Sequence, residues 1–340
     1  MSSFRKRTQE TKAIPGTRSS LYNGQTIAST GNPSLDHILG GGVQIGSLLL
    51  IEEDPHVVYS KVLAKYFLAE GVVSKQSLFF GSLDDEPEDL LKKLPKPVEE
   101  DSNTSSETSP DMRIAWRYND LPQVNSEQGG QKIGHHFNIL EQMSSEDLKE
   151  SDISTWSKGS FSELIKKLAQ KVKTVKEDSV LRICLTSLGS PLWYSENLEF
   201  SKDILKFLTI LRAILRTYNT IAFVTIPMGL LEKIDEKLVP RIRNLADYSI
   251  QLDSFAGTDR ETVPAFKEYN GILNIRKLSA LNTLTAFNPE TTDLAFKLRR
   301  KKFVIEKFHL PPELQDAENP QDDIVPSLSC GGSGKKSLDF

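Results

Sequence analysis

The sequence predicts an α/β fold: a central, mostly parallel sheet flanked by helices, with antiparallel strands added near the C-terminus. Three observations predict it. Apolar runs of strand length recur between residues 48 and 226. Helical patterns separate them, so that strand, helix and strand follow as βαβ units. Beyond residue 226, strand patterns follow one another without long helices between them, as antiparallel additions do.

Each element has a local reason. The first 25 residues are polar, carry bases with no apolar stretch behind them and include Pro15-Gly16, so they are expected to be a disordered lead-in. The fold is expected to begin near Ile27. LLLI, 48–51, is a buried-type strand, and the helix after it is predicted over 55–70, with Asp54 as N-cap, Pro55 at the first helical position and Gly71 ending it. SLFFGSL, 77–83, completes the unit. DDEPEDLLKKL, 84–94, reads as a short helix with acids and Pro87 in its first turn and lysines in its last. Residues 99–112 hold five acids and no base, which predicts a disordered acidic insertion in a single domain spanning 26–314. MRIAWRY, 112–118, then reads as a strand. In GSFSELIKKLAQKVKTV, Ser160 and Glu163 form a capping box, and Phe161, Leu164, Ile165, Leu168 and Val172 line one face of a helix. The strand VLRICLT, 180–186, follows. A helix over 200–218 is apolar on more than one side and is expected to be buried; TIAFVTI, 220–226, is the next strand. DYSIQLDSF, NGILNIRKL and the pair within LAFKLRRKKFVIEKFHL supply the antiparallel strands, and 315–340 is expected to be a disordered polar tail.

Composition narrows the function classes. At 340 residues with 38% hydrophobic content and 16 Phe, one large domain can bury a sizeable core. A net charge of −4 gives no global attraction to nucleic acid or membrane, so any such binding must be local. Cys184 and Cys330 make no disulfide framework and suit a reducing compartment. The apolar runs are too short to span a bilayer, and the basic start lacks the apolar core of a secretory signal.

The segment IEEDPHVVYS lies where nucleotide-binding proteins keep a phosphate loop. Laid over G-x-x-x-x-G-K-[ST], it puts Glu53 and Val58 at the glycines, Tyr59 at the lysine and Ser60 at the final hydroxyl. Such a loop works because glycines turn backbone N–H groups toward phosphates while lysine neutralises them. Here Glu52, Glu53 and Asp54 crowd carboxylates beside the helix start, and each one ~6 Å from a phosphate charge would repel it by roughly 2–3 kcal/mol at an effective dielectric of ~20. Lys61, two residues past the lysine slot, faces away. The site is therefore expected to be filled by the chain's own anion, Asp54, with Ser60 an ordinary helix residue. The strand LRICLT also ends in Ser187-Leu188-Gly189, without an acid at its tip to hold Mg²⁺.

Other constellations are weaker. His135 and His136 are adjacent and have no Cys or His cluster near them in sequence, which argues against a metal. No G-x-S-x-G element occurs. GGSGKKS, 331–337, imitates a phosphate loop without a strand before it or a helix after it. Trp193 and Tyr194 are either a buried lid over the sheet or an exposed contact for another subunit. KLVPRIRNL places Lys237, Arg241 and Arg243 after the strand TIAFVTI, and KLRRKKFVIEK has six bases and one acid; solvation is the default for both, RNA contact the alternative.

The entry segment STGNPSLDHILGGGVQIGSLLLIEED, 29–54, resembles the start of a RecA-like ATPase core: Leu35, Ile38 and Leu39 make an apolar helical turn, and Gly40 to Gly42 reverse the chain. Together with IEEDPHVVYS, LAKYFLAEG, RIAWRY, SPLWYS and KFVIEKFHLPPEL, over residues 16 to 314, the chain resembles the PAXNEB family; the terminal KKSLDF is similar to its animal members. The resemblance implies a RecA-like, non-catalytic subunit that joins Elongator subunits 5 and 6 in a heterohexameric ring. That ring accompanies the catalytic Elongator subcomplex, binds tRNA, releases it in response to ATP and supports wobble-uridine modification. The resemblance further implies no cofactor bound by this subunit alone, ATP at the joints between ring subunits, and residence in the cytoplasm and also the nucleus. It makes Lys237, Arg241 and Arg243 candidate tRNA contacts facing a central channel, and Trp193 and Tyr194 candidate contacts with a ring neighbour. The competing readings are an ATP-hydrolysing ring ATPase and an unrelated interaction protein.

Overall fold

The computed structural model describes residues 14–20, 22–98, 133–176, 178–193 and 200–309. The expected strand at 112–118, the acidic insertion, Tyr194 and the tail with its GGSGKKS stretch lie outside them.

Order begins earlier than the sequence predicts. Strand β1 (Thr17–Ser19) pairs with β2 (Thr26–Ala28). Helix α1 (Pro33–Ile38) then leads to β3 (Val43–Gln44), which pairs with β2. The segment expected to be an unpacked lead-in is thus ordered from Ile14, and the Gln76 amide donates to the Pro15 carbonyl at 2.7 Å to fasten it. Asn32 caps α1 through the Leu35 N–H, and the reversal after α1 uses Gly40, Gly41 and Gly42, all with positive φ.

The core is βα-alternating, as expected. β4 (Leu48–Glu52) feeds α2 (Tyr59–Val73), and β5 (Ser77–Ser82) follows. α3 (Pro87–Leu91) has Pro87 in its first turn. A two-stranded ribbon of β6 (Pro95–Pro97) and β7 (Phe137–Gln142), then α4 (Ser145–Glu150) and β8 (Ile153–Trp156), complete this half. α5 (Phe161–Thr174), β9 (Leu181–Thr186), α6 (Phe200–Thr217) and β10 (Thr220–Ile226) follow. After α7 (Met228–Ile234) and α8 (Leu238–Leu245) come β11 (Tyr248–Ser254), β12 (Gly271–Lys277), β13 (Leu294–Leu298) and β14 (Phe303–Lys307).

Among the described residues nine strands form the main sheet, in the order β14-β13-β12-β11-β4-β10-β9-β5-β8. From β11 to β8 every pairing is parallel, and β12, β13 and β14 add on antiparallel. This is the RecA-like α/β arrangement the sequence implied. The central strands are buried along their whole length because helices cover both faces, with α2 on one side and α5, α6 and α8 on the other.

Two local expectations need correction. α2 runs on to Val73, so Gly71 lies inside the helix. A Cβ there would sit 2.4 Å from Leu78 Cδ2, so this glycine lets α2 press onto β5 rather than ending it, and Lys75 takes the left-handed position beyond the end. α6 is amphipathic rather than buried all round: Ile204, Phe207, Leu208, Leu211 and Leu215 face the core, and Ile210 is exposed. The Ser160–Glu163 capping box is present, but the edge strand β8 and helix α4 had no expectation at all.

Candidate functional site

β4 lies between β10 and β11, and its C-terminal end opens into the crevice where open α/β sheets bind ligands. What fills that end is the chain itself. Asp54 is buried, and its carboxylate accepts from three successive backbone N–H groups, those of Val58 at 3.0 Å and of Tyr59 and Ser60 at 3.2 Å. These donors open α2, where a phosphate would otherwise take the partial positive charge of the helix terminus. The helix begins at Tyr59, four residues later than predicted, so Asp54 is not its N-cap and Pro55 is not at the first helical position. Instead the carboxylate reaches over a loop whose Val57 is held at φ 54°, a strained conformation for a β-branched residue. Val58 itself is ordinary, with φ −86°.

The remaining slots turn to packing. The Tyr59 ring lies 4.8 Å from that of Phe296 on β13, so the lysine slot is committed to the antiparallel addition. Ser60 is fully buried in α2, with no hydrogen-bond partner for its hydroxyl among the described residues. Lys61 pairs with Asp85 at 2.8 Å. We expect Asp54→Ala to lose about 1–2 kcal/mol, because three helix donors lose a charged acceptor. A denaturation midpoint equal to that of the parent would show that the carboxylate contributes nothing.

Glu53 and Glu52 point to opposite neighbours. Glu53 accepts from Thr225 Oγ1 of β10 at 2.5 Å and from Ser187 Oγ beyond β9 at 3.0 Å; burial pushes its pKa up, with the Asp84 carboxylate adding to the effect. Asp84 in turn accepts from Ser190 at 2.8 Å. The tip of β9 carries no acid of its own, yet acids from β4 and from the end of β5 close around Ser187, which sequence reading missed because they are distant in the chain. Among the described residues no group of three or more His, Cys, Asp or Glu is placed to hold a metal ion.

Glu52, also buried, forms a two-pronged ion pair with Arg243 on α8, Nε to Oε1 at 2.6 Å and Nη2 to Oε2 at 2.7 Å, and accepts from Ser249. The three bases Lys237, Arg241 and Arg243 thus differ in setting: Arg243 is half-buried and tied to Glu52, whereas Lys237 and Arg241 are exposed. Trp193 also turns inward: it is buried and stacks between Trp156 and Phe161, with centroids 5.2 and 4.9 Å away. Its ring is the lid over the sheet rather than an exposed contact.

The entry segment hides a second network. Asp36 accepts from the hydroxyls of Ser29 and Thr30 and from the Thr30 N–H, and burial pushes its pKa up to about 6 against those donors. Arg182, near the start of β9, is wholly buried; it donates to Gln76 Oε1 at 2.5 Å and to the Ser29 carbonyl at 2.8 Å and lies over the Phe67 ring. Burial lowers its pKa to about 10, opposed by Glu70 and Asp36. Glu70 accepts from the His135 N–H at 2.9 Å and from Ser74 at 2.8 Å. His135 thus serves a carboxylate, a partner 65 residues away that the sequence reading did not identify. No helix among the described residues is long and apolar enough to cross a membrane.

Comparison with known proteins finds similarity along nearly the whole chain. The profile of the PAXNEB protein family matches residues 10–340. Elongator complex protein 4 of Drosophila melanogaster is 42% identical, covering 100% of both chains. Elongator complex protein 4 of Homo sapiens is 36% identical over 96% of this chain and 89% of its own, and that of Saccharomyces cerevisiae is 24% identical over 89% and 77%. With a profile match over residues 10–340 and relatives at 42% and 36% identity along nearly the whole length of both chains, the chain belongs to the PAXNEB family.

Proposed function

We propose that this chain is a non-catalytic RecA-like subunit of the Elongator complex, which builds a heterohexameric ring with subunits 5 and 6, binds tRNA and supports wobble-uridine modification by the catalytic subcomplex. The observation that carries the non-catalytic part is the Asp54 carboxylate, seated on the N–H groups of Val58, Tyr59 and Ser60. A phosphate approaching those groups meets an anion already in place. The likeness over full length to proteins named Elongator complex protein 4 supports the choice of assembly. In this reading ATP acts at joints between ring subunits, the ring works in the cytoplasm and also the nucleus, and Lys237 and Arg241 face RNA while Arg243 holds α8.

Co-purification tests the assembly: subunits 5 and 6 should be recovered with the tagged chain, and their absence would refute it. Labelled ATP should bind the assembled ring and not the chain alone. Val58→Gly with Tyr59→Lys should still give no hydrolysis by the isolated chain, because Asp54 keeps the donors while Glu52 and Glu53 stay engaged by Arg243 and Thr225 rather than holding Mg²⁺. Turnover by that double variant would overturn the reading.

A further inference from the structure

A cleft of about 800 Å³ opens between the β6–β7 ribbon and the turn joining β13 to β14, and the Phe303 ring that lines it lies 6.3 Å from that of Tyr59. Its floor is the Asn32–Ser34 start of α1, with Tyr66, Phe137 and Phe303. One rim carries Arg299, Arg300, Lys301 and Lys302, all exposed, and the other carries Lys96 and His136, also exposed. The rims are tied together, since the Ile139 N–H donates to the Lys301 carbonyl at 3.0 Å and the Arg299 N–H closes the turn on Lys302 at 2.9 Å. We infer that this cleft is an RNA-binding site that tracks the phosphodiester backbone, with the β13–β14 turn as its main contact.

Charge carries the argument. Five Lys or Arg side chains line the cleft, and among the described residues none of them forms an ion pair. Glu141 is the one acid among the described residues of the lining, and it is already engaged by the Asn138 amide at 2.7 Å. In a chain of net charge −4, such a local reversal repels itself until a polyanion neutralises it. By contrast, Lys297 on the same hairpin is buried and satisfied by Glu268 and Glu306, so the turn's cations are not needed to balance the strands.

The floor selects the kind of ligand. Its two buried polar side chains are occupied: Asn32 bonds the Leu35 N–H and the Phe303 carbonyl, and the Tyr66 hydroxyl accepts from the Phe303 N–H. These groups are therefore not available to orient one small phosphate. Cations on two facing rims instead suit an extended chain of phosphates, with the arginines able to grip two oxygens each, and the contact is independent of base sequence. The choice of RNA over another polyanion rests on the function proposed above.

The test uses the full chain, alone and assembled with subunits 5 and 6. Fluorescent tRNA and a polyglutamate peptide are titrated at several salt concentrations against the parent, against a variant with Arg299, Arg300, Lys301 and Lys302 changed to alanine, and against Lys237→Ala with Arg241→Ala. The turn variant should keep the parent's melting temperature and ring entry, bind tRNA at least tenfold more weakly, and show a salt slope shallower by ~0.7–0.9 for each phosphate it no longer neutralises. Arg299→Lys with Arg300→Lys should retain most of the slope. Unchanged tRNA affinity in the turn variant, with weaker binding in the α8 variant, would overturn the cleft and leave the RNA-binding role standing. Loss of polyglutamate binding with tRNA binding intact would overturn it in favour of an acidic protein segment. A parent ring that binds no tRNA would refute both the cleft and the function it rests on.

Discussion

Arg243→Ala is expected to cost the chain about 2–4 kcal/mol of stability, far more than the same change at Lys237 or Arg241. Glu52 is 1% exposed at the end of β4, and Arg243 is its only cation among the described residues. Removing the guanidinium leaves a buried carboxylate with, among the described residues, the Ser249 hydroxyl as its remaining side-chain donor. The cost stays below that of a fully buried pair because Arg243 is itself 32% exposed, so water can reach the vacated space. Arg243→Lys should recover only part of the loss, since an ammonium cannot make the two parallel bonds. Lys237→Ala and Arg241→Ala are exposed changes and should fall within about 0.5 kcal/mol of the parent. Urea denaturation of the three variants decides the matter. A midpoint for Arg243→Ala no lower than for the other two would show that the pair does not hold α8, and would return Arg243 to the RNA-contact group.

The sequence made the parallel half of the sheet readable because its strands are apolar on both faces and its helices carry caps or amphipathic stripes. LLLI, SLFFGS, LRICLT and TIAFVTI all became sheet strands. Ser160 and Glu163 marked the start of α5 to the residue. β8 was missed because ISTW is short and half-buried at the sheet edge, and β1 because a three-residue strand leaves no periodicity to detect. At the phosphate-loop position the chemistry was legible and the geometry was not. The excess of carboxylates and the missing lysine could be read from IEEDPHVVYS, and so could Asp54 as the resident anion. That Asp54 would act across a loop bent at Val57 could not, because it depends on a strained φ that residue type argues against. The partners of Glu52, Glu53 and Arg182 lie 106 to 197 residues away, beyond any local pattern.

Arg182→Met should be the most damaging single change, at about 3–5 kcal/mol, because it removes a wholly buried cation from groups that cannot turn to water. The methionine fills much of the volume, so the loss reports charge and hydrogen bonding rather than a cavity. Gln76 Oε1 and the Ser29 carbonyl each lose a donor, and Glu70, fully buried on α2, loses the positive charge that helps hold its carboxylate ionised. Burial alone would raise the Glu70 pKa; the His135 hydrogen bonds and the Arg182 charge together pull it below its ordinary value. Adding Glu70→Gln to Arg182→Met should therefore cost less than the sum of the two single changes, by about 0.5–3 kcal/mol. The damage should also be local in its first stage. Arg182 ties β9 to Ser29, whose hydroxyl meets Asp36, so hydrogen exchange should speed up at Ser29 to Asn32 before it does in β4 or β10. Additive losses, together with protection at 29–32 equal to the parent's, would mean that Arg182 merely packs against Phe67 and that the entry segment holds itself in place.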